Sequence, residues 1–183
     1  MVLKATSITG RIAPDILNAA PDIKAVYLGL PAEAYIAANL AAISGPADLK
    51  IFEAVRHGRL LAKLGRKIPQ GSTAGELAAI AWMVEHDNQQ QARAAGGPRV
   101  LLLDFEMLLV DLEGNLAQVL RHFDLPPIAD RLVKSPVLTR YSKAPEQLAF
   151  SPVARAERIN QTRARFAAKI EKGLALINAL QPR

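Results

Sequence analysis

The chain has 183 residues, half of them apolar and 22% charged, a composition typical of a globular domain with a buried core. The formal net charge of +6 is consistent with an anionic partner, such as a nucleotide, a sulfated sugar, a nucleic acid or a lipid headgroup, and selects none of them. The absence of cysteine excludes disulfides, thiolate catalysis and cysteine-bound zinc, and the spacing of His57, His86 and His122 is not that of metal ligands. We therefore expect no metal.

No segment has the pattern of a membrane span. The most apolar stretch, "VLLLDFEMLLVDL" at 100–112, is interrupted by Asp104 and Glu106 well short of the roughly 20 residues that a transmembrane helix needs. The N-terminus carries one lysine and then turns polar, unlike a secretory signal. The expected location is the cytoplasm.

Apolar runs and helical spacings follow one another along the chain. Continuous apolar runs indicate buried strands, and apolar residues three or four apart indicate helices. Thr73 and Glu76 have the form of a capping box, and Asp111 can cap a later helix. The predicted strands are 2–4, 23–30 and 99–105, and the predicted helices are 11–20, 31–43, 48–64, one after Thr73, one after Asp111 and a long final helix at about 152–180.

This order predicts a single helix-rich α/β domain over 1–183. Apolar strands joined through helices favour a parallel sheet with helices on both faces, a three-layer arrangement. Ligands of such sheets bind at the carboxyl ends of the strands, which fall here at 4–10, 29–31 and 105–109. Three strands make a thin sheet, so we expect one or more strands to be missing or supplied elsewhere.

The loop "KATSITGR" at 4–11 is a candidate anion site. It combines small hydroxyl residues with Lys4 and Arg11 directly before a predicted helix, where backbone amides favour an anion. It lacks the GxxxxGK[ST] pattern of a nucleoside triphosphate loop, and a plain turn explains the same residues.

Two sets of cations recur at helical spacing. They could attract phosphate or sulfate, or they could form the solvated sides of amphipathic helices. Aromatic residues are only 5% of the chain and are not interleaved with the cations, which argues against nucleic-acid binding by stacking. The sets are Arg56, Arg59, Lys63 and Arg66, and Arg155, Arg158, Arg165, Lys169 and Lys172.

Three shorter polar groups are candidates for chemistry. Glu85, His86 and Asp87 are adjacent on a predicted helix, so their side chains should point in different directions and not converge. Glu106 follows a predicted strand, where it could take part in a site or anchor a neighbouring loop. The polar residues 141–143 lie in an irregular stretch from which they could reach a ligand.

Several stretches together resemble the bacterial sulfotransferases that use 3′-phosphoadenosine 5′-phosphosulfate (PAPS). The stretch 2–31, "VLKATSITGRIAPDILNAAPDIKAVYLGLP", is similar to the family's strand, Lys-Ser-Pro-type or Lys-Thr-His-type loop, helix and second strand. The stretch 81–127, "AWMVEHDNQQQARAAGGPRVLLLDFEMLLVDLEGNLAQVLRHFDLPP", is similar to the family's succession of a helix, a strand, "Y-E-D-L" and "F-L-G-L-P". Phe105-Glu106-Met107-Leu108 stands at the position of "Y-E-D-L". "RYSKAPEQLAF" resembles a tail segment of some members, and the middle of the chain resembles the family only weakly.

The resemblance implies a P-loop-like sulfotransferase fold and transfer of a sulfonate from PAPS to a hydroxyl or amine of a small molecule or glycan. Lys4 and Ser7 would line the donor side as catalytic and PAPS-binding residues, and Lys143 would assist as a phosphate contact.

The departures from the family pattern imply a degenerate or N-terminally truncated member. The family's Pro-Lys-Ser-Gly-Thr-Thr element, which cradles the 5′-phosphosulfate, has no counterpart in the sequence. The arginine and serine that hold the 3′-phosphate correspond to Gly29 and Ala37. Charge-assisted bonds contribute roughly 1.5–3 kcal/mol each, so their loss should weaken PAPS binding. The alternative is a non-catalytic interaction or assembly module on the same scaffold, including a homo-oligomer.

Overall fold

The computed structural model describes residues 7–42, 44–65, 67–69, 71, 73–140 and 149–180. Most of these residues are helical, and five of them form each of two strands. The helices are α1 (Ala13–Ala19), α2 (Ala32–Ala41), α3 (Gly45–Ile51), α4 (Glu53–Leu64), α5 (Ala74–Gly96), α6 (Phe105–Val110), α7 (Leu112–His122), α8 (Ala129–Leu132) and α9 (Pro152–Leu180), and the strands are β1 (Ala25–Gly29) and β2 (Val100–Asp104). Short 3-10 helices lie at Ser7–Ile12, Gly97–Arg99 and Pro136–Thr139.

The chain divides into two compact units. The first unit lies within Met1–Leu30 and Gln89–Ala156, and the second within Pro31–Asn88 and Glu157–Arg183. The two stretches that carry the family resemblance fall largely in the first unit, and the middle stretch, where the resemblance is weak, falls in the second.

The first unit contains the sheet. β1 and β2 are parallel neighbours, with Ala25 opposite Val100 and Gly29 opposite Asp104. The buried apolar cluster of this unit is small, and its fully buried members are Leu17, Ala92 and Val100.

Polar contacts help to hold the sheet to the segments around it. The Arg99 guanidinium donates to the carbonyl of Leu17 at 3.0 Å and to the carbonyl of Ile23 at 3.1 Å, which joins α1 to the start of β1. His122 Nε2 in α7 lies 3.0 Å from the carbonyl oxygen of Ala25 and 3.1 Å from that of Arg99. These contacts satisfy backbone carbonyls of α1, β1 and the segments before the two strands, and they link α1 and α7 to the sheet.

The predicted three-layer parallel sheet is wrong, and with it the P-loop-like sulfotransferase fold that the resemblance implies. Within the described residues the sheet has two strands, and helices dominate both units. The predicted strand 2–4 lies outside the described residues. Apolar runs identify a segment that can be a strand, but the number of strands that pair depends on contacts between distant segments, which local patterns do not encode.

The second unit is a helical assembly with a larger apolar core. Its buried residues come from α2, α3, α4, α5 and α9 and from the loop residue Ile68, and they include Ile36, Leu49, Leu60, Ile80 and Ile177. At the crossing of α5 and α9 a Cβ atom on Gly75 would overlap the carbonyl of Lys169, so the small residue permits the close approach of the two backbones.

The two predicted helix caps, at Thr73 and at Asp111, are confirmed. The Thr73 amide donates to Glu76 Oε2 at 2.8 Å, and the Glu76 amide donates to Thr73 Oγ1 at 3.3 Å, so the predicted capping box forms. Asp111 caps α7 by accepting from the Gly114 amide at 2.9 Å. The predicted helix 48–64 is two helices, because the backbone leaves helical geometry at Phe52.

Among the described helices, none is both long and apolar enough to cross a lipid bilayer.

Candidate functional site

The candidate site is the edge of the first unit where β1 and β2 end. Because the two strands are parallel and in register, Gly29 and Asp104 finish side by side at this edge. The Asp104 carboxylate accepts from the amide of Glu106 at 2.7 Å and from that of Met107 at 3.2 Å. Asp104 therefore serves as the N-cap of α6, which starts directly at the end of β2.

Glu106, one residue into α6 beyond Phe105, binds a buried arginine. Its carboxylate accepts from Arg155 Nη1 at 3.0 Å and from Arg155 Nη2 at 2.8 Å, a two-pronged ion pair. Arg155 is 8% exposed, and its guanidinium carbon lies 4.9 Å from the centre of the Phe105 ring. Of the two predicted roles of Glu106, the structure favours the anchoring one, because the carboxylate fastens the first turn of α9.

The predicted donor-side residues are Lys4, Ser7 and Lys143. Lys4 and Lys143, with the other polar residues of 141–143, are outside the described residues. Ser7 begins the 3-10 helix Ser7–Ile12 that leads into α1. The Tyr27 hydroxyl donates to the carbonyl of Gly10 at 3.1 Å, so this short helix is tied to β1 of the same unit.

The two positions that correspond to the family's 3′-phosphate ligands carry no polar side chain. Gly29 ends β1, and a Cβ atom there would come within 3.2 Å of Gln89 Oε1. Ala37 has no exposed surface and belongs to the apolar core of the second unit. Neither position can supply a cation or hydroxyl to a phosphate.

The first predicted set of cations is not a free basic surface in the described part of the chain. Lys63 pairs with Asp87, and the Arg56 guanidinium lies 5.3 Å from the centre of the Phe52 ring. Arg59 is half-buried, and Arg66 lies outside the described residues. These contacts argue against a free anion-attracting stripe. Lys63 itself remains exposed, so the alternative of a solvated helix side stays a prediction.

The second set is interrupted as well. Arg155 is buried against Glu106, and the helix geometry is broken at Phe166, whose ring lies 5.1 Å from the Arg165 guanidinium carbon and 5.2 Å from Lys169 Nζ. α9 therefore carries separate local cation contacts and no single stripe of equivalent side chains.

Glu85, His86 and Asp87 do not converge, as predicted. Asp87 pairs with Lys63, and the His86 ring stacks on Trp82 with their centres 4.9 Å apart. Burial raises the pKa of the Glu85 carboxyl group. The charge of Arg56 lowers that pKa, but by less than burial raises it.

Sequence reasoning missed the surroundings of Glu85. Tyr35 of α2 belongs to the same cluster: burial raises the pKa of its hydroxyl, and the Glu85 charge adds to that rise. No local pattern points to this cluster, because its members come from three helices. Within the described residues, no three histidine, aspartate or glutamate side chains come together as metal ligands.

Comparisons of the chain with protein-family models, with curated proteins and with solved structures found no match. The resemblance to sulfotransferases stays a prediction.

Proposed function

We propose that the chain is a non-catalytic interaction module, and that a second copy covers the apolar surface of its first unit. The observation that carries the proposal is the contrast between a small buried cluster and many exposed large apolar side chains in that unit. The exposed residues are Ile12, Ile16, Ile23, Leu28, Met107, Val110, Leu125, Val137, Leu138 and Val153.

The sheet gives the proposal further support. Parallel strands are usually covered on both faces. Leu28, the fourth of the five residues of β1, nevertheless remains 50% exposed. Apolar surface contributes roughly 25 cal/mol per Å² when it is removed from water, so pairing of two such surfaces is favourable. A twofold dimer brings the same surface from both copies together.

The roles of the charged groups at the strand ends also support an interaction module. The Asp104 carboxylate caps a helix and the Glu106 carboxylate neutralises Arg155, so these groups are engaged in holding α6 and α9. A transferase site needs such groups to be directed at the reacting atoms. Scaffold contacts at this edge favour a binding role over catalysis.

Light scattering after size-exclusion chromatography tests the proposed dimer. The expected mass is about twice the 19.8 kDa of one chain. Leu28→Asp should weaken the dimer at least about tenfold, because a charge would be transferred into an apolar contact. Ile51→Asp, at a 70% exposed position of the second unit, is the matched control and should leave the mass unchanged.

A second candidate function is sulfonate transfer from PAPS in a cytoplasmic protein. Its support is that the two resembling stretches meet in one unit with their strands ending together. Lys4 and Ser7 would stabilise the leaving phosphate oxygen while the sulfur–oxygen bond of the donor breaks. The acceptor hydroxyl or amine would form the new bond to sulfur and lose its proton to a base.

Calorimetry with adenosine 3′,5′-bisphosphate, the spent donor, tests this second function. Binding that Lys4→Ala and Lys143→Ala both weaken would support it, because each lysine is expected to contact a phosphate. Absence of heat at millimolar ligand would exclude it while leaving the dimer untouched.

A further inference from the structure

An open cavity of about 500 Å³ lies in the second unit, between the start of α2 and one face of α9. Its lining combines apolar side chains of α9 with three ionisable ones, Glu33, Arg163 and Glu171. A volume of this size is typical of sites that bind small molecules, and such sites are mostly apolar with a few polar groups.

The apolar part of the lining is continuous with the core of the second unit. Ile170 is 6% exposed and belongs to that core, and Leu174 packs against it. Ala167 and Ala175 are exposed on the same face of α9, and their small side chains leave the floor of the cavity open. An aliphatic ligand therefore finds a floor of apolar side chains.

Close packing holds α9 in place along the cavity. A Cβ atom on Gly173 would lie 2.6 Å from the carbonyl oxygen of Gly75 and 2.9 Å from Cδ1 of Ile36. The small residue therefore lets α9 approach both α5 and α2 closely. The face of α9 that lines the cavity is thus positioned by the core on its other side.

Arg163 is engaged by protein groups on two sides. Its Nε lies 2.7 Å from Glu33 Oε1, in an ion pair without the geometry of an ordinary hydrogen bond, and its Nη1 donates to Asn160 Oδ1 at 3.1 Å. The charges of Arg163 and Glu33 offset each other. The cavity lining therefore offers no free cation to an anionic ligand.

Glu171 carries the charge that remains. Its carboxylate is exposed and makes no ion pair with a described residue. A helical glutamate usually finds a cation three or four residues away, but all four of those positions in α9 are apolar. They are Ala167, Ala168, Leu174 and Ala175.

We propose that this cavity binds a small aliphatic primary ammonium ion, with its hydrocarbon chain on the floor and its charged group at Glu171. An ammonium group has three N–H donors for a carboxylate, and burial of the chain against Leu174 and the two alanines removes apolar surface from water. The lining contains no aromatic side chain to hold a quaternary ammonium ion, which favours the primary amine. The site lies in the second unit and does not depend on the proposed dimer.

Titration of the full chain with hexylammonium chloride tests the proposal, followed by carbon-13 NMR of alanine and leucine methyl groups. Sodium hexanoate, which has the same chain length and the opposite charge, is the reference at about pH 7, where both ligands are ionised. We expect hexylammonium to shift the signals of Ala167, Leu174 and Ala175 with a dissociation constant on the order of 1 mM, and hexanoate to bind roughly tenfold more weakly. Equal affinities for the two ligands would overturn the proposal.

Charge variants identify the carboxylate that binds the ligand. Glu171→Gln should weaken hexylammonium binding roughly threefold, because an exposed ion pair contributes little in water. Glu157→Gln is the matched control, since it removes an exposed acid of the same helix outside the cavity lining, and it should bind as the natural chain does. Equal weakening by both variants would contradict a specific site at Glu171.

Ala175→Lys gives a second test that does not depend on the glutamine variant. The new lysine stands four residues after Glu171, the spacing at which the two side chains pair on a helix, so the variant should fold and occupy the ligand's place. We expect it to lose hexylammonium binding at least about tenfold, whereas Leu28→Asp, in the first unit, should bind as the natural chain does. Full binding by Ala175→Lys would exclude the cavity as the site.

Discussion

Arg155 and Glu106 form a two-pronged ion pair, with distances of 3.0 and 2.8 Å, that links the first turn of α9 to α6 and in which the arginine is buried and the glutamate partly exposed. The pair lies directly after the end of β2, and the Phe105 ring covers the guanidinium. This contact between residues far apart in sequence ties the first turn of α9 to the end of the sheet within the first unit.

Removal of the Glu106 carboxylate should destabilise the chain. Glu106→Ala leaves the buried Arg155 guanidinium without its partner, and we expect a loss of about 1–3 kcal/mol in the free energy of unfolding. This figure is reduced from that of a fully buried pair, because the Glu106 side chain is 38% exposed. Urea denaturation measures the change.

The control for this change is Glu113→Ala, which removes an exposed acid from α7 of the same unit. The double variant Glu106→Ala, Arg155→Met should recover part of the loss, since methionine can pack against Phe105 without a charge. Equal stability of the Glu106 and Glu113 variants would show that the ion pair contributes nothing.

The crossing of α5 and α9 should not tolerate an added methyl group. Gly75→Ala would force a Cβ atom against the Lys169 carbonyl, and we expect a loss of about 1–3 kcal/mol or more. Gly58→Ala, inside α4 with no atom within 4 Å of the added Cβ, should instead stabilise by about 0.5–1 kcal/mol. Thermal unfolding of both variants checks this opposition of sign, and a neutral Gly75→Ala would contradict the observed close approach.

The capping box of α5 should contribute about 1 kcal/mol. Thr73→Ala removes the hydroxyl that accepts from the Glu76 amide, which leaves one amide of the first turn unsatisfied. Thr73→Ser keeps the hydroxyl and should retain the stability of the natural chain within a few tenths of a kcal/mol. If alanine and serine prove equal at this position in urea denaturation, the hydroxyl contributes no stability.

The stability contributed by Glu85 should fall as the pH rises. Burial raises the pKa of its carboxyl group in the folded chain, so folding favours the protonated acid. The contribution is complete below the ordinary pKa of glutamate and is lost as the pH rises through the raised value. The stability of the natural chain relative to Glu85→Gln should therefore decrease between about pH 4 and about pH 8.

Urea midpoints of both chains, measured across that pH range, show whether the relative stability falls or rises with pH. Glu33→Gln serves as the control, because Glu33 is exposed and has no such burial. A relative stability that increases with pH would mean that attraction to Arg56 outweighs burial, contrary to the expected order of the two effects.

Local structure was predictable where the deciding residues are close in sequence. The Thr73–Glu76 capping box, the Asp111 cap and the apolar runs of β1 and β2 each depend on a few neighbouring residues, and all are observed. The break at Phe52 was not predictable, because the apolar spacing on either side of it continues without interruption.

Contacts between distant residues could not be read from the sequence. The cations of α4 and α9 have helical spacing, but spacing does not show that Lys63 meets Asp87 or that Arg155 is buried. The cluster around Glu85 was not predicted for the same reason, since the residues that shift the pKa of Glu85 and Tyr35 come from α2, α4 and α5. The predicted three-layer sheet failed because strand number is also set by long-range pairing.

The central claim, that a second copy covers the apolar surface of the first unit, is tested most directly by the mass of the chain in solution. Sedimentation equilibrium over a range of micromolar concentrations should give about twice the 19.8 kDa of one chain, with the natural dimer lost in Leu28→Asp and kept in Ile51→Asp. A mass of one chain at every concentration, unchanged by either substitution, would contradict the claim.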